Sequence, residues 1–238
     1  MPNPIIIANW KMNCTRAESL EIARAIAGYA GNHNIVVCPP FTVLFPLVQA
    51  LKNLKLGGQD CSAHEKGAHT GEISASQLKD AGCSYVILGH SERRRNLNEQ
   101  SELIREKATR ALNSGLIPII CVGETAEEKK LGHTLEIIGE QLLSSVPAGA
   151  NPGNAIIAYE PVWSIGTGVV PKDAEVAQAA EFIVRATKNI PIIYGGSVNG
   201  DNAADLLKIK NISGLLVGGA SLNPKEFWKI VNSVNVTV

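Results

Sequence analysis

Pro191-Ile192-Ile193-Tyr194-Gly195-Gly196-Ser197 and, further on, Gly214-Leu215-Leu216-Val217-Gly218-Gly219-Ala220-Ser221 are two short apolar runs, each closed by a Gly-Gly pair. Neither alternates polar with apolar residues, so each suits a strand covered on both faces, the habit of parallel sheet. The same kind of run occurs upstream at residues 5–8, 35–38, 54–56 (leading to Gln59), 85–88, 117–122 and 155–159. The eight runs begin roughly every 30 residues, the length of one strand–helix unit.

Helical periodicity fills the gaps. Residues 17–29 align Leu20, Ala23, Ile26 and Ala27, and residues 99–112 align Leu103, Ile104, Ala108, Ala111 and Leu112. Asp173 stands where a helix over 174–186 would take its N-cap. Asn223-Pro224 reads as a cap followed by proline at the first helical position, opening a last helix to Val231. No linker or charge run divides the chain, so residues 1–238 are expected to form a single domain. Eight strand–helix units leave two α/β architectures, a closed (β/α)8 barrel or a doubly wound open sheet. No G-x-G-x-x-G follows any of the runs; the nearest, Gly166-Thr167-Gly168, has Pro171 in third place. The expected fold is therefore a single (β/α)8 barrel, eight parallel strands ringed by helices.

Composition narrows the function classes. Lys and Arg total 22 against 22 Asp and Glu, so no net charge draws the chain to nucleic acid or anionic membrane. With 45% hydrophobic and 18% charged residues, overall disorder is excluded. The five cysteines (14, 38, 61, 83 and 121) form no C-x-x-C pair, which reads as reduced thiols in a cytoplasmic protein. Met1-Pro2-Asn3-Pro4 and the brief apolar run after it do not have the layout of a signal peptide. No apolar run is long enough to span a bilayer.

In such a barrel the chemistry lies at the C-terminal ends of the strands. The first run ends in Asn9, followed closely by Lys11; the fourth ends Gly89-His90-Ser91-Glu92-Arg93; the sixth ends Glu160-Pro161. Closure would bring these proton-handling side chains to one mouth. The glycine pairs after runs seven and eight let backbone N–H groups approach an anion, and the last two loops of this architecture often hold phosphate. Residues 161–168, from a proline start to a glycine-rich tip, suggest a lid that excludes water. Metal is not expected: His64-Glu65 lacks the second histidine of a zinc helix, and Cys61, His64 and His69 lack ligand spacing.

Together, Asn9-Trp10-Lys11-Met12-Asn13, His90-Ser91-Glu92-Arg93-Arg94, Tyr159-Glu160-Pro161-Val162-Trp163 and Tyr194-Gly195-Gly196-Ser197 closely resemble the triosephosphate isomerase family, over the whole chain. The resemblance implies a TIM barrel interconverting dihydroxyacetone phosphate and glyceraldehyde 3-phosphate without cofactor or metal. It implies Glu160 as the base that moves a proton between the substrate carbons, and a neutral His90 that polarises the carbonyl and shuttles protons between oxygens. Lys11 would supply positive charge near the enediolate, Asn9 would orient the site, Glu92 would brace Lys11, and Ser91 would hold Glu160 when the lid is open. Backbone N–H groups of Gly166, Ser197, Gly218 and Gly219 would receive the phosphate. Residues 67–72 resemble the family's protruding third loop, which implies a homodimer with Thr70 reaching the neighbour's site.

Four places in the chain depart from the family pattern. Ser164 replaces the usual Ala of the lid, Val169-Val170-Pro171 replaces a commoner hinge, Leu97-Asn98 an aromatic–Gly pair and Cys14 a Gly. Proline restricts φ, so Pro171 is expected to alter product release, and the Cys14 thiol to make assembly sensitive to bulky thiol reagents. Two other readings remain at this stage: another phosphate-binding barrel enzyme, for example an aldolase using Lys11 as a Schiff base, or a non-catalytic sugar-phosphate sensor.

Overall fold

The computed structural model describes residues 3–31, 33–51 and 54–236; Met1-Pro2, on which the reading of the N-terminus partly rests, lies outside these. Eight parallel strands close in chain order: β1 Ile5–Asn9, β2 Asn34–Cys38, β3 Lys55–Gly58, β4 Cys83–Leu88, β5 Ile117–Val122, β6 Ile156–Tyr159, β7 Ile192–Tyr194 and β8 Ile212–Val217. Closure is made by β1 against β8, with Ile5 opposite Gly214 and Ala8 opposite Val217. The expected (β/α)8 barrel is thus the observed fold.

The unbroken apolar runs have a physical reason. Alternate strand residues (Ile5, Ile7, Val36, Cys38, Ile87, Ile119, Ile193) fill the barrel interior, while Ile6, Ala8, Val37, Val86, Leu88 and Ile120 face the helices. Both faces are dry, and fully burying one such aliphatic side chain stabilises the fold by ~1.5–3 kcal/mol. β3 has the faintest apolar signature because it ends in Gly57-Gly58, which have no side chains to contribute one.

Two helix openings differ from expectation. Asp173 is the first residue of the helix Asp173–Ala186 and Lys172 is its N-cap. The Glu175 carboxylate accepts the Lys172 N–H (3.1 Å), so a glutamate three residues on supplies the cap, and Asp173 serves the positive helix end from inside. Glu99 precedes the helix Ser101–Asn113 rather than opening it. Its buried carboxylate binds Lys107 Nζ (2.6 Å) and Arg93 Nη2 (2.7 Å), and Asp60 completes this balanced cluster at 2.9 and 2.8 Å from the same two cations. The cluster ties the end of β3 to the helix Ser91–Leu97, which follows His90. The Asn223 cap is as read: its side chain accepts the N–H groups of Lys225 and Glu226, with Pro224 opening the last helix.

Cys14 has φ 75°, a left-handed conformation that costs a non-glycine residue roughly 1–2 kcal/mol. Cys14→Gly should therefore stabilise the chain by a net ~0.5–1 kcal/mol once the greater freedom of the unfolded glycine is counted. A higher denaturation midpoint at fixed protein concentration would show it; an unchanged or lower midpoint would not. Burial and the nearby Glu18 carboxylate raise the Cys14 thiol above its ordinary value. At Asn98 the departure from glycine is absorbed, because asparagine tolerates the φ of 53° that ends the helix there.

Candidate active site

The barrel mouth brings Asn9, Lys11, His90, Glu160, Gly166, Ser197, Gly218 and Gly219 to the wall of one cavity of about 240 Å³. They come from the ends of strands one, four, six, seven and eight and from the loop after β6, far apart in sequence and joined only by closure. Two other hollows, one by His64 and His69 and one by Asp60 and Lys107, are lined by neither Glu160 nor His90 and none of the strand-end glycine pairs.

Glu160 is buried at the end of β6. Its N–H bonds the Val122 carbonyl (2.8 Å), which fixes its backbone to β5. One carboxylate oxygen, Oε2, accepts the backbone N–H of Ser91 (3.2 Å); the other, Oε1, has no hydrogen-bond partner and lies 3.3 Å from His90 Nε2. Ser91 thus meets Glu160 through its main chain. His90 caps the helix Ser91–Leu97, and its Nδ1 accepts the Glu92 N–H (3.2 Å). A nitrogen that accepts an N–H carries no proton, so this geometry assigns the neutral tautomer with its hydrogen on Nε2, facing Glu160 and the cavity.

Lys11 has φ 51° and is held from three directions. Its Nζ bonds Glu92 Oε1 at 2.6 Å, its N–H donates to Asn9 Oδ1 at 3.0 Å, and its carbonyl accepts from Gln59 Nε2 at 2.8 Å. Burial pushes the Glu92 carboxyl up, but the Lys11 bond and neighbouring positive charge outweigh it and leave the carboxyl below its ordinary range. Lys11 Nζ is thus engaged by a carboxylate rather than free to attack a carbonyl as a Schiff-base lysine would.

Close approach explains two of the glycines. A Cβ on Gly123 would lie 1.8 Å from the Glu160 carbonyl oxygen, and one on Gly195 would lie 2.9 Å from Glu160 Cγ. Gly195→Ala should push the carboxylate aside and lower kcat by ~10- to 100-fold with KM much less affected, since misplacement by an ångström costs about that much. Steady-state kinetics on the folded variant would test this; unchanged kcat would show that Glu160 has slack.

The loop from Pro161 is anchored at its root and exposed at its tip. Val162 N–H bonds the Glu124 carbonyl, Trp163 Nε1 donates to Glu124 Oε1 (2.9 Å), and Lys129 Nζ stands 3.6 Å from the Trp163 ring. Burial raises the Glu124 carboxyl above its ordinary value, although the Trp163 and Tyr159 hydrogen bonds oppose this. Residues 166–170 are exposed, and Pro171 is buried where the loop rejoins the body. Such a segment can hinge at both roots.

Gln59 and Glu124 escaped the sequence reading. Each lies just beyond a strand, β3 and β5 respectively, so the strand-end rule that found Asn9 and Glu160 would have reached them. Thr70 lies away from this cavity, on an exposed loop pinned at its base by Ser62 with Glu72 and by Ser62 N–H to the Ile73 carbonyl. Among the described residues, no group of three or more His, Cys, Asp or Glu is placed to hold a metal ion.

Comparison with known proteins gives this arrangement a lineage. The family model described as triosephosphate isomerase matches residues 4–234. The triosephosphate isomerase of Bradyrhizobium sp. (strain ORS 278) is 45% identical, with 95% of this chain and 96% of that protein covered. That of Ruegeria sp. (strain TM1040) is 41% identical, with 97% and 98% covered. The crystal structure of triosephosphate isomerase from Bartonella henselae superposes with a TM-score of 0.91 at 41% identity, covering 98% of this chain and 99% of that one.

This chain belongs to the triosephosphate isomerase family.

The resemblance read from the motifs, the TIM barrel and an isomerase's activity on a triose phosphate all follow from that membership. Among the described residues no helix is long and apolar enough to cross a membrane. In triosephosphate isomerases a glutamate base and a neutral histidine divide the proton transfers of one site between them.

Proposed function

We propose that this chain interconverts dihydroxyacetone phosphate and D-glyceraldehyde 3-phosphate through an enediolate, serving glycolysis and gluconeogenesis. The observation that carries the reading is a buried carboxylate with one unpartnered oxygen beside a neutral imidazole. Glu160 takes a proton from one substrate carbon and returns it to the next. The electron pair left behind moves into the carbonyl, whose oxygen gains negative charge. His90 donates its Nε2 hydrogen toward that oxygen and moves protons between the two oxygens, while Lys11 stabilises the charge as it develops and Asn9 orients the substrate. Glu92 braces Lys11, and the Ser91 N–H parks Glu160 between turnovers.

The phosphate is received by backbone N–H groups of Gly166, Ser197, Gly218 and Gly219. Its binding energy, remote from the reacting carbons, drives the lid shut; dry surroundings then strengthen the base and protect the enediolate from losing phosphate. The whole chain acts as one catalytic domain without cofactor or metal, in the cytoplasm, in keeping with five cysteines that are all unpaired. An assay of the purified protein coupling glyceraldehyde 3-phosphate formation to a dehydrogenase tests the reading: turnover supports it, and substrate binding without turnover would favour a sensor.

The same reading makes the protein a homodimer, with Thr70 of one chain near Asn9 and Lys11 of the other. The exposed loop and the largely exposed Met12 (95%) and Phe45 (62%) support it. Light scattering should give twice the chain mass; the mass of a single chain at micromolar concentration would contradict the dimer.

A further inference from the structure

Ser164 departs from the family pattern inside the lid, and it is completely buried. It ends the short turn Val162–Ser164, directly after Trp163. Its Oγ accepts the backbone N–H of Ser197 at 3.1 Å and lies 3.2 Å from the hydroxyl of Tyr194 at the end of β7. Tyr194 is buried too, and burial pushes its hydroxyl up to about 12, with the Ser164 bond acting in the opposite direction. One hydroxyl therefore ties the lid root to two groups of a single strand end. The Ser164 carbonyl in turn accepts from Thr167 Oγ1 (3.2 Å), which links this contact to the exposed tip.

A backbone N–H has one hydrogen to give. The Ser197 N–H cannot serve Ser164 and a phosphate oxygen fully at once. We infer that the Ser164 hydroxyl is a latch, holding the lid root on the end of β7 and occupying the Ser197 N–H until a phosphate oxygen displaces it. Phosphate capture and lid release are then one exchange of hydrogen bonds. When Ser164 leaves Ser197, the pull on Thr167 passes to the Gly166–Gly168 tip, which lines the cavity. Ser164 acts on the substrate only through Ser197 and the lid, so it is a positioning residue. The inference rests on the proposed phosphate seat and adds to it a competitor built into the chain.

Ser164→Ala removes the competing acceptor with no gain in volume. Its effect is read as the inhibition constant of inorganic phosphate against the triose phosphate substrate, with a parallel phosphate titration of tryptophan fluorescence. The latch requires phosphate to bind ~2- to 10-fold more tightly to Ser164→Ala, the span of a typical net hydrogen bond. A serine that merely shaped the loop would give the opposite, weaker binding. Equal or weaker phosphate binding in Ser164→Ala, with the unmodified protein competitively inhibited, would overturn the latch and leave the phosphate seat standing. Failure of phosphate to compete with substrate in the unmodified protein would overturn both.

Discussion

Glu160→Gln is expected to lower kcat for triose phosphate isomerisation by about 10³- to 10⁴-fold, with KM little changed. A positioned base contributes typically ~10²–10⁴, and here no second carboxylate stands ready to replace it: Glu92 is engaged by Lys11 and Glu124 by Trp163 and Tyr159. The amide keeps the size of the side chain and can still meet the Ser91 N–H through its oxygen. The unpartnered Oε1, 3.3 Å from His90, is what changes character. A variant with native thermal unfolding and most of its activity intact would remove Glu160 from the chemistry.

Lys11→Met is the second large effect, a loss of about 10²–10³ in kcat/KM, the range seen when one charge-stabilising donor is removed from a reacting oxygen. The methionine nearly matches the apolar stem, so packing beside Gly218, whose imagined Cβ lies 3.5 Å from Lys11 Cε, is largely preserved. What goes is the ammonium, and with it the bond that holds the Glu92 carboxyl below its ordinary value. The Glu92 carboxyl should therefore titrate at higher pH in the variant, where burial acts with less opposition. Kinetics together with carboxyl titration by NMR would check both halves. Retained activity would mean that His90 alone suffices.

The barrel was legible because its strands are dry on both faces, so their apolar runs carry no polar interruptions and stand out at regular intervals. Runs such as 117–122 coincide with the strand itself, whereas β3 was blurred by Gly57-Gly58 and β8 begins at Ile212, ahead of the run from Gly214. Helix openings were less legible because caps are made by particular side-chain bonds. Glu175 rather than Asp173 supplies the cap bond at Lys172, and Glu99 is drawn out of its helix pattern by Arg93 and Lys107.

In the site, the residues that touch the cavity end strands and were readable from position and chemical type. Of the residues that brace them, Glu92 stands within the His90 motif, whereas Gln59 and Glu124 lie just past strand ends without announcing their partners. Gln59 holds the Lys11 carbonyl and Glu124 holds Trp163, and nothing local in the sequence says which distant group each will face. Ser164 was visible as a departure, but its two partners, Ser197 and Tyr194, became apparent only when the loop after β6 was seen lying on the end of β7.

The central claim is that a carboxylate on β6 moves a proton between two carbons by way of an enediolate. Running the reaction in deuterium oxide and examining the product by NMR tests it most directly. Proton transfer through Glu160 requires solvent deuterium at the product carbon, because the carboxylic acid formed midway can exchange its hydrogen, and it requires that this incorporation collapse along with turnover in Glu160→Gln. Product formed at full rate with no solvent deuterium on carbon, in the original chain or the variant, would mean that hydrogen passes directly between the carbons, and would contradict the role given to Glu160.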